Sequence, residues 1–288
     1  PIVTGPVIMV IGLGLAPVAI GMAQGNWIVA GVGLLVAALV AVFGKGFSRL
    51  VPVLFGLIAG YVTAISFGMV DFSPVTEAGF FGMPNFTVPT FNLNAILIIA
   101  PVAMVSMVEH VGDVLAISAT IGKGRELVTD PGINRTMAGD GLATTLAGLF
   151  GGPPNTTYSE NTGVLALTKV YNPLVMRIAA CFAILMSVVP KLSALIDTIP
   201  EPVIGGIAVL LFGMIASVGV RTMVENEVDL SKSRNLIIAS VVLVIGIGGA
   251  KLPIPFKGQT IEIAGMALAG VAGIVLNKVL PEKIGNEE

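Results

Sequence analysis

The sequence predicts an all-α polytopic membrane protein in which a short β-strand interrupts one of the spans. Hydrophobic residues fill 55% of the 288 positions, charged residues fill 11%, and the mean hydropathy is +0.97. Soluble globular domains are about 25% charged, so lipid must be the solvent for much of this surface. Apolar runs close to the length of a membrane span recur along the chain, and one polar, proline-rich stretch breaks their pattern.

Ten apolar segments are the predicted spans, because about 20 mostly apolar residues are needed to cross a bilayer. They run approximately over residues 5–22, 27–44, 48–70, 95–119, 136–151, 154–169, 173–190, 202–220, 235–250 and 260–279. The sixth opens with Pro153-Pro154-Asn155-Thr156-Thr157-Tyr158-Ser159, which is polar, β-prone and too rich in proline to begin a helix. We therefore expect extended backbone over Pro154–Ser159 and a helix over Glu160–Thr168. Transporters place their binding sites at broken helices of this kind.

The distribution of charge predicts the orientation of the chain and limits its partners. Of the 15 basic residues, twelve lie in alternate connections, namely Lys45, Arg49, Lys123, Arg125, Arg135, Lys169, Arg177, Arg221, Lys232, Arg234, Lys278 and Lys283. By the positive-inside rule these connections, and both ends of the chain, are cytoplasmic. A net charge of −2 without a basic patch argues against nucleic acid as a partner. One histidine and one cysteine argue against a zinc site, so we expect no metal and no cofactor.

Acidic residues inside the predicted spans are the candidates for a functional site, since each costs about 2.5–3.5 kcal/mol at a helix centre. Glu109 and Asp113 are four residues apart, so their carboxyl groups lie on one face of the fourth span. His110 is turned by about 100° from Glu109 and either packs between helices or joins a proton pathway. Glu160 begins the helix after the break, where backbone N–H groups lack partners within the helix.

Two carboxyl groups on two helices suit a particular chemistry. Such groups accept hydrogen bonds when ionised and donate when protonated, and buried carboxyl groups can exchange protons near neutral pH. A planar ring with imide N–H groups flanked by carbonyls would match them. A proton alone or a metal cation fits the same geometry, and a structural role for each acid stays open, above all for Asp113.

Three stretches resemble the nucleobase–ascorbate (nucleobase–cation symporter 2) family, and in particular its bacterial uracil permease branch. Glu109-His110-Val111-Gly112 is similar to the stretch with the family's substrate-binding acid in its eighth span. Residues 155–161 are similar to the strand-to-helix break of its tenth span. Glu160-Asn161-Thr162-Gly163, followed by Thr168-Lys169, fits the family signature Gln/Glu-Asn-x-Gly-x4-Thr-Arg/Lys.

The resemblance implies proton-coupled symport of a nucleobase. Glu109 and Glu160 would hydrogen-bond the base, and Tyr158 with the Ser159 backbone would line the pocket. One uracil permease of the family has histidine where this chain has Asp113, so Asp113, His110 and Glu109 are the candidates for proton coupling. The same permease has glycine where this chain has Ser159, whose side chain would narrow the pocket. The Tyr-x-Glu-Asn pattern favours uracil over xanthine.

The resemblance also implies an architecture of fourteen spans in two inverted repeats of seven, with core and gate domains in a bacterial inner membrane. On that scheme the chain corresponds to spans five to fourteen, and the preceding spans would complete the pocket. Residues 1–70 would belong to the gate domain, 71–94 to an outer loop, 95–190 to the core domain and 191–288 to the gate domain. The gate domain is a candidate surface for a homodimer. Pro6-Val7-Ile8 and Pro202-Val203-Ile204, at the start of spans seven apart, echo such a repeat.

Four alternatives remain at this point. A purine or xanthine permease of the same family differs only in the base that is carried. An anion transporter of the same architecture is disfavoured because an anion would meet two acids. An intramembrane aspartyl protease would need a Gly-x-Gly-Asp pattern, which neither Asp113 nor Asp140 has, so we expect no enzyme. A passive proton or cation channel would not accumulate a solute against its gradient.

Overall fold

The computed structural model describes residues 2–158, 160–256 and 259–281 of the chain. Helices dominate these residues: α1 (Thr4–Gly14), α2 (Ala16–Gln24), α3 (Trp27–Phe43), α4 (Pro52–Ser66), α5 (Ser73–Glu77), α6 (Leu93–Thr120), α7 (Ile133–Leu149), α8 (Glu160–Thr168), α9 (Pro173–Ser187), α10 (Pro190–Asp197), α11 (Glu201–Glu225), α12 (Ser233–Ile247) and α13 (Gly265–Val279). Two strands, β1 (Lys251–Phe256) and β2 (Gln259–Ala264), form an antiparallel hairpin.

Each of the ten predicted spans contains a helix, which confirms an apolar helical membrane protein. By length and composition, Thr4–Gln24 (α1 with α2) and Glu201–Glu225 (α11) can each cross a membrane. The pair α9 and α10, bent by 85°, makes a third if it is one broken span. This bend falls just before Pro190, which has no N–H to continue the ladder of α9. Helices α3, α4, α12 and α13 are apolar but shorter, at 15 to 17 residues.

The prediction was wrong at the start of the tenth span, where residues 260–264 belong to β2 rather than to a helix. The backbone of Lys251–Phe256 pairs with Gln259–Ala264 from Lys251↔Ala264 to Phe256↔Gln259. Prolines alternate with other residues in β1, and isoleucines alternate in β2, so extended backbone suits both segments. A helix follows only from Gly265.

The chain divides into two compact units. One comprises Pro1–Pro17, Thr90–Asp113 and Leu211–Glu288, and the other comprises Val18–Pro89 and Val114–Leu210. These boundaries differ from the predicted limits of the gate and core domains, which follow from a family architecture rather than from local packing. The gate and core assignments therefore stay a prediction.

In the first unit, α1 packs against α12 and α13. A buried cluster at this contact includes Val7, Val10, Ile238, Val242 and Ala269. Gly246 on α12 faces Val10, and a Cβ atom at this glycine would collide with that valine side chain. Small residues at such crossings let helix backbones approach closely, which is the usual packing device inside membranes.

In the second unit, α3 and α4 cross at a stripe of small residues. A Cβ atom at Gly56 of α4 would lie 2.6 Å from the Gly33 carbonyl oxygen and 2.6 Å from the Ala37 Cβ atom of α3. Val29, Ala64 and Val203 form the buried cluster beside this crossing. Close approach of the two backbones gives these short helices their contact area.

Two connections use the same polar turn. In one, the Ser73 hydroxyl at 2.7 Å and the Ser73 N–H at 2.9 Å donate to Asp71 Oδ1. In the other, the Ser231 hydroxyl at 2.6 Å and its N–H at 2.9 Å donate to Asp229 Oδ1. These bonds lower the pKa of both aspartates. Their stabilising contribution is therefore present above the ordinary aspartate pKa, and is lost as the pH falls through the lowered value.

Candidate functional site

Helix α6 carries the first group of predicted site residues on an uninterrupted stretch of 28 residues. His110 is 3% exposed and Asp113 is 7% exposed, whereas Glu109 is partly buried. Residues three and four apart share a helix face, so the buried stripe runs through His110 and Asp113 with Glu109 at its margin. The sequence predicted that Glu109 and Asp113 share a face, which the continuous helix supports. It did not predict that His110 would be more deeply buried than Glu109.

The second group of predicted site residues lies at a real break in the helical pattern. Residues 152–158 have no regular secondary structure, and α8 begins at Glu160 as predicted. The predicted β-strand over 154–159 is not confirmed in the described residues 154–158. Ser159, the side chain of Glu160 and the surroundings of Gly163 lie outside the described part of the chain.

Helix α8 is long enough to cross about half of a membrane. Its nine residues correspond to about 13 Å at 1.5 Å per residue, against a hydrocarbon core of about 30 Å. The N–H of Asn161 donates to the Tyr158 carbonyl at 3.2 Å, which closes the first turn. The positive end of the α8 dipole therefore lies next to the non-helical segment. The first backbone N–H groups of α8 are available there as hydrogen-bond donors to a ligand.

The signature motif matches the full length of α8. Glu160 is its first residue and Thr168 is its last. The Thr168 hydroxyl donates to the Val164 carbonyl at 2.8 Å, and Lys169 adopts a left-handed backbone with φ of +54°. A residue in this conformation ends a helix. Residues Glu160–Lys169 thus encode a short helix together with its stop.

The non-helical segment is attached to α7 by one side chain. The Thr144 hydroxyl donates to the Asn155 carbonyl at 3.0 Å and accepts from the Asn155 N–H at 3.1 Å. Both backbone groups of Asn155 are thereby satisfied by a single threonine. In a β-sheet, a neighbouring strand would supply the hydrogen-bond partners of these two backbone groups, and here Thr144 supplies them.

The turn before the segment is packed against the connection between α5 and α6. The Phe86 and Phe150 rings meet edge to face with centroids 5.5 Å apart, and the Thr87 N–H donates to the Phe150 carbonyl at 3.4 Å. Gly151 has φ of +82°, and a Cβ atom there would collide with the Thr87 side chain. Only glycine fits this position.

Thr157 is a residue that the sequence reasoning used only for its backbone preference. Its Oγ1 atom is buried and has no hydrogen-bond partner in the described part of the chain. The neighbouring Tyr158 side chain is 59% exposed. A buried hydroxyl next to predicted pocket residues is a further candidate contact, and only its position directly before Tyr158 could have indicated it in the sequence.

Comparison with known proteins adds an independent finding. A model described as a permease family matches residues 1–254. The chain is 45% identical to a uracil permease of Bacillus caldolyticus, with 98% of this chain and 67% of that protein covered. It is 43% identical to a uracil permease of Bacillus subtilis, covering 98% of this chain and 68% of that protein. It is also 43% identical to a uracil permease of Escherichia coli, covering 97% and 66% respectively.

Proposed function

The chain belongs to the nucleobase–ascorbate (nucleobase–cation symporter 2) permease family, and from this premise we propose that it carries uracil across the cell membrane in symport with protons. The observation that carries the proposal is the similarity of 43–45% identity to uracil permeases over 97–98% of the chain. A nucleobase is a small polar ring that needs a polar binding pocket within the membrane. The non-helical segment and the start of α8 supply backbone N–H and C=O groups for such a pocket.

In this proposal Glu109 and Glu160 hydrogen-bond the base, and Tyr158 and the Ser159 backbone line the same pocket. An imide ring presents N–H donors flanked by carbonyl acceptors. Carboxylate oxygens accept from the N–H groups, and N–H groups near the start of α8 donate to the carbonyls. Asn161, Gly163 and Thr168 belong to the motif that builds this helix rather than to the pocket wall.

Proton coupling is assigned to α6. Asp113 and His110 are buried side by side on one stripe of the helix, and Glu109 lies on the preceding position. A proton bound in this group during uptake would be released on the cytoplasmic side, so that the pH gradient drives accumulation. Asp113 is the first candidate because it occupies the position where one uracil permease of the family has histidine.

The proposed architecture follows the family scheme. Core and gate domains, two inverted repeats, cytoplasmic ends and a homodimer through the gate domain are all part of it. The orientation can be tested with Lys45→Cys in a Cys181→Ser background, since Lys45 is exposed and Cys181 is an exposed free cysteine. A membrane-impermeant maleimide should label Lys45→Cys in inverted vesicles and not in intact cells.

Uptake of labelled uracil by bacteria that lack their own uracil transporter tests the function. The complete protein should confer accumulation above the external concentration, and a protonophore should abolish it. Competition by unlabelled uracil, thymine, xanthine and hypoxanthine separates a pyrimidine carrier from a purine carrier. Uptake of labelled xanthine without uptake of labelled uracil would replace the proposal with a xanthine permease. Equilibration without accumulation would replace it with a channel.

A further inference from the structure

The threonines of this protein differ in what their hydroxyl groups bond. Five helical threonines donate to the carbonyl four residues earlier in their own helix, namely Thr63, Thr120, Thr145, Thr168 and Thr222. Thr144 differs, because its hydroxyl leaves α7 and bonds both backbone groups of Asn155. A side chain that bonds another segment, instead of a carbonyl in its own helix, holds the two segments at a fixed distance.

We propose that Thr144 is a positioning residue for substrate binding, which rests on the function proposed above. Asn155 lies five residues before Glu160 and three before Tyr158. The pocket residues at the start of α8 are therefore connected to α7 through a short stretch that includes Pro153-Pro154 on one side and Thr156-Thr157 on the other. Because the N–H and the carbonyl of Asn155 both bond Thr144, the position of this stretch along the axis of α7 is fixed.

The physical need for such a contact is clear. Non-helical backbone at membrane depth must have its polar groups satisfied by protein or water. A single hydroxyl that accepts at 3.1 Å and donates at 3.0 Å to the same residue replaces one rung of strand pairing. Without the Thr144 hydroxyl, the N–H and carbonyl of Asn155 would need water as their hydrogen-bond partner. Tyr158 and Glu160 would then sample more than one position relative to the rest of their unit.

Adjacent threonines supply a matched control. Thr145 is exposed and donates to the Gly141 carbonyl at 2.8 Å within α7. Thr144→Val removes the hydroxyl at nearly constant volume, and Thr145→Val makes the same chemical change one residue along the same helix. Thr144→Ser keeps a hydroxyl that can reach Asn155. A general effect of valine on α7 would appear in both valine variants.

The experiment uses the complete protein and two readouts. The first is hydrogen–deuterium exchange of peptides covering residues 150–158, measured without any ligand. Loss of one net hydrogen bond, about 0.5–1.5 kcal/mol in typical proteins, corresponds to exchange faster by about 2- to 12-fold. The second is the equilibrium Kd for uracil, which we expect to rise by a similar factor in Thr144→Val. Thr144→Ser should restore both values, and Thr145→Val should change neither.

The outcomes separate the two proposals. Unchanged exchange in Thr144→Val would overturn the contact, and faster exchange with an unchanged Kd would overturn its role in positioning the pocket. Equal effects in Thr144→Val and Thr145→Val would also overturn it, since they would reflect helix propensity. If the wild-type protein fails to bind uracil, the proposed function fails, and the exchange measurement alone then decides whether Thr144 holds the segment.

Discussion

The two regions that carry the predicted site residues are built in opposite ways. Helix α6 presents Glu109, His110 and Asp113 on 28 continuous helical residues. The broken span (residues 152–168) presents Tyr158 and Glu160 where a non-helical segment meets a helix of nine residues. In α6 the spacing between the acids is set by the helix itself, because each N–H bonds the carbonyl four residues before it.

Residues 152–158 of the broken span have no regular helical hydrogen bonds to set their spacing. Within this stretch, both backbone groups of Asn155 are satisfied from α7 by the Thr144 hydroxyl. The comparison teaches that a substitution far from the pocket should disturb the broken span and leave α6 intact. Proton handling is thus proposed for α6, whereas base recognition is proposed to need one glutamate from each region, Glu109 and Glu160.

The largest effect is expected from Glu160→Gln and Glu109→Gln. Glutamine keeps the volume but replaces an acceptor carboxylate by an amide that must both donate and accept. A mispaired buried group costs about 1–3 kcal/mol, so the Kd for uracil should rise by roughly 5- to 150-fold. Equilibrium binding to the purified complete protein measures this. A normal Kd in both variants would remove the two acids from the pocket.

A smaller and different effect is expected from Asp113→Asn. Asparagine cannot titrate, so gradient-driven uptake should collapse while equilibrium binding of uracil survives. One pH unit is worth about 1.4 kcal/mol, or tenfold accumulation for one proton per uracil. Uptake into vesicles with an imposed gradient of one unit should therefore lose up to about tenfold accumulation. Undiminished accumulation would move the coupling role to His110 or Glu109.

Thr157→Val tests whether the buried hydroxyl in the broken span belongs to the pocket. If the hydroxyl bonds the base, its loss should raise the Kd by about 2- to 12-fold, as for one net hydrogen bond. If it does not, valine should leave the Kd unchanged and should not destabilise the protein. The exposed neighbour Thr156 offers the control, because Thr156→Val makes the same change outside the buried position.

The smallest effect is expected at the end of the broken span. Lys169 holds φ of +54°, and the left-handed region costs a residue with a side chain about 1–2 kcal/mol. Glycine would remove this cost but would lose more entropy on folding, so Lys169→Gly should raise the thermal midpoint in detergent by a few degrees at most. Lys169→Ala removes the same charge without relieving the backbone. A glycine variant no more stable than the alanine variant would contradict this account of the helix stop.

Much of the fold followed from the sequence because its causes are local. Hydropathy located a helix in each predicted span, and the proline pair with Thr156-Thr157 located the break and the start of α8 at Glu160. The seventh predicted span begins at residue 173, and α9 begins at Pro173, where the Asn172 side chain accepts from the Leu174 N–H at 2.9 Å. The hairpin was missed because residues 260–264 are apolar enough for a span, while their strand conformation depends on pairing with Lys251–Phe256.

The sequence by itself determined the membrane class, the family, the helix positions and the motif that encodes α8. Only the tertiary structure decided that His110 is buried more deeply than Glu109, and that Thr144 rather than Thr145 holds Asn155. The reason is physical: neighbouring threonines are chemically identical in a sequence, and a hydrogen bond between residues eleven positions apart exists only once α7 and the broken span have packed together.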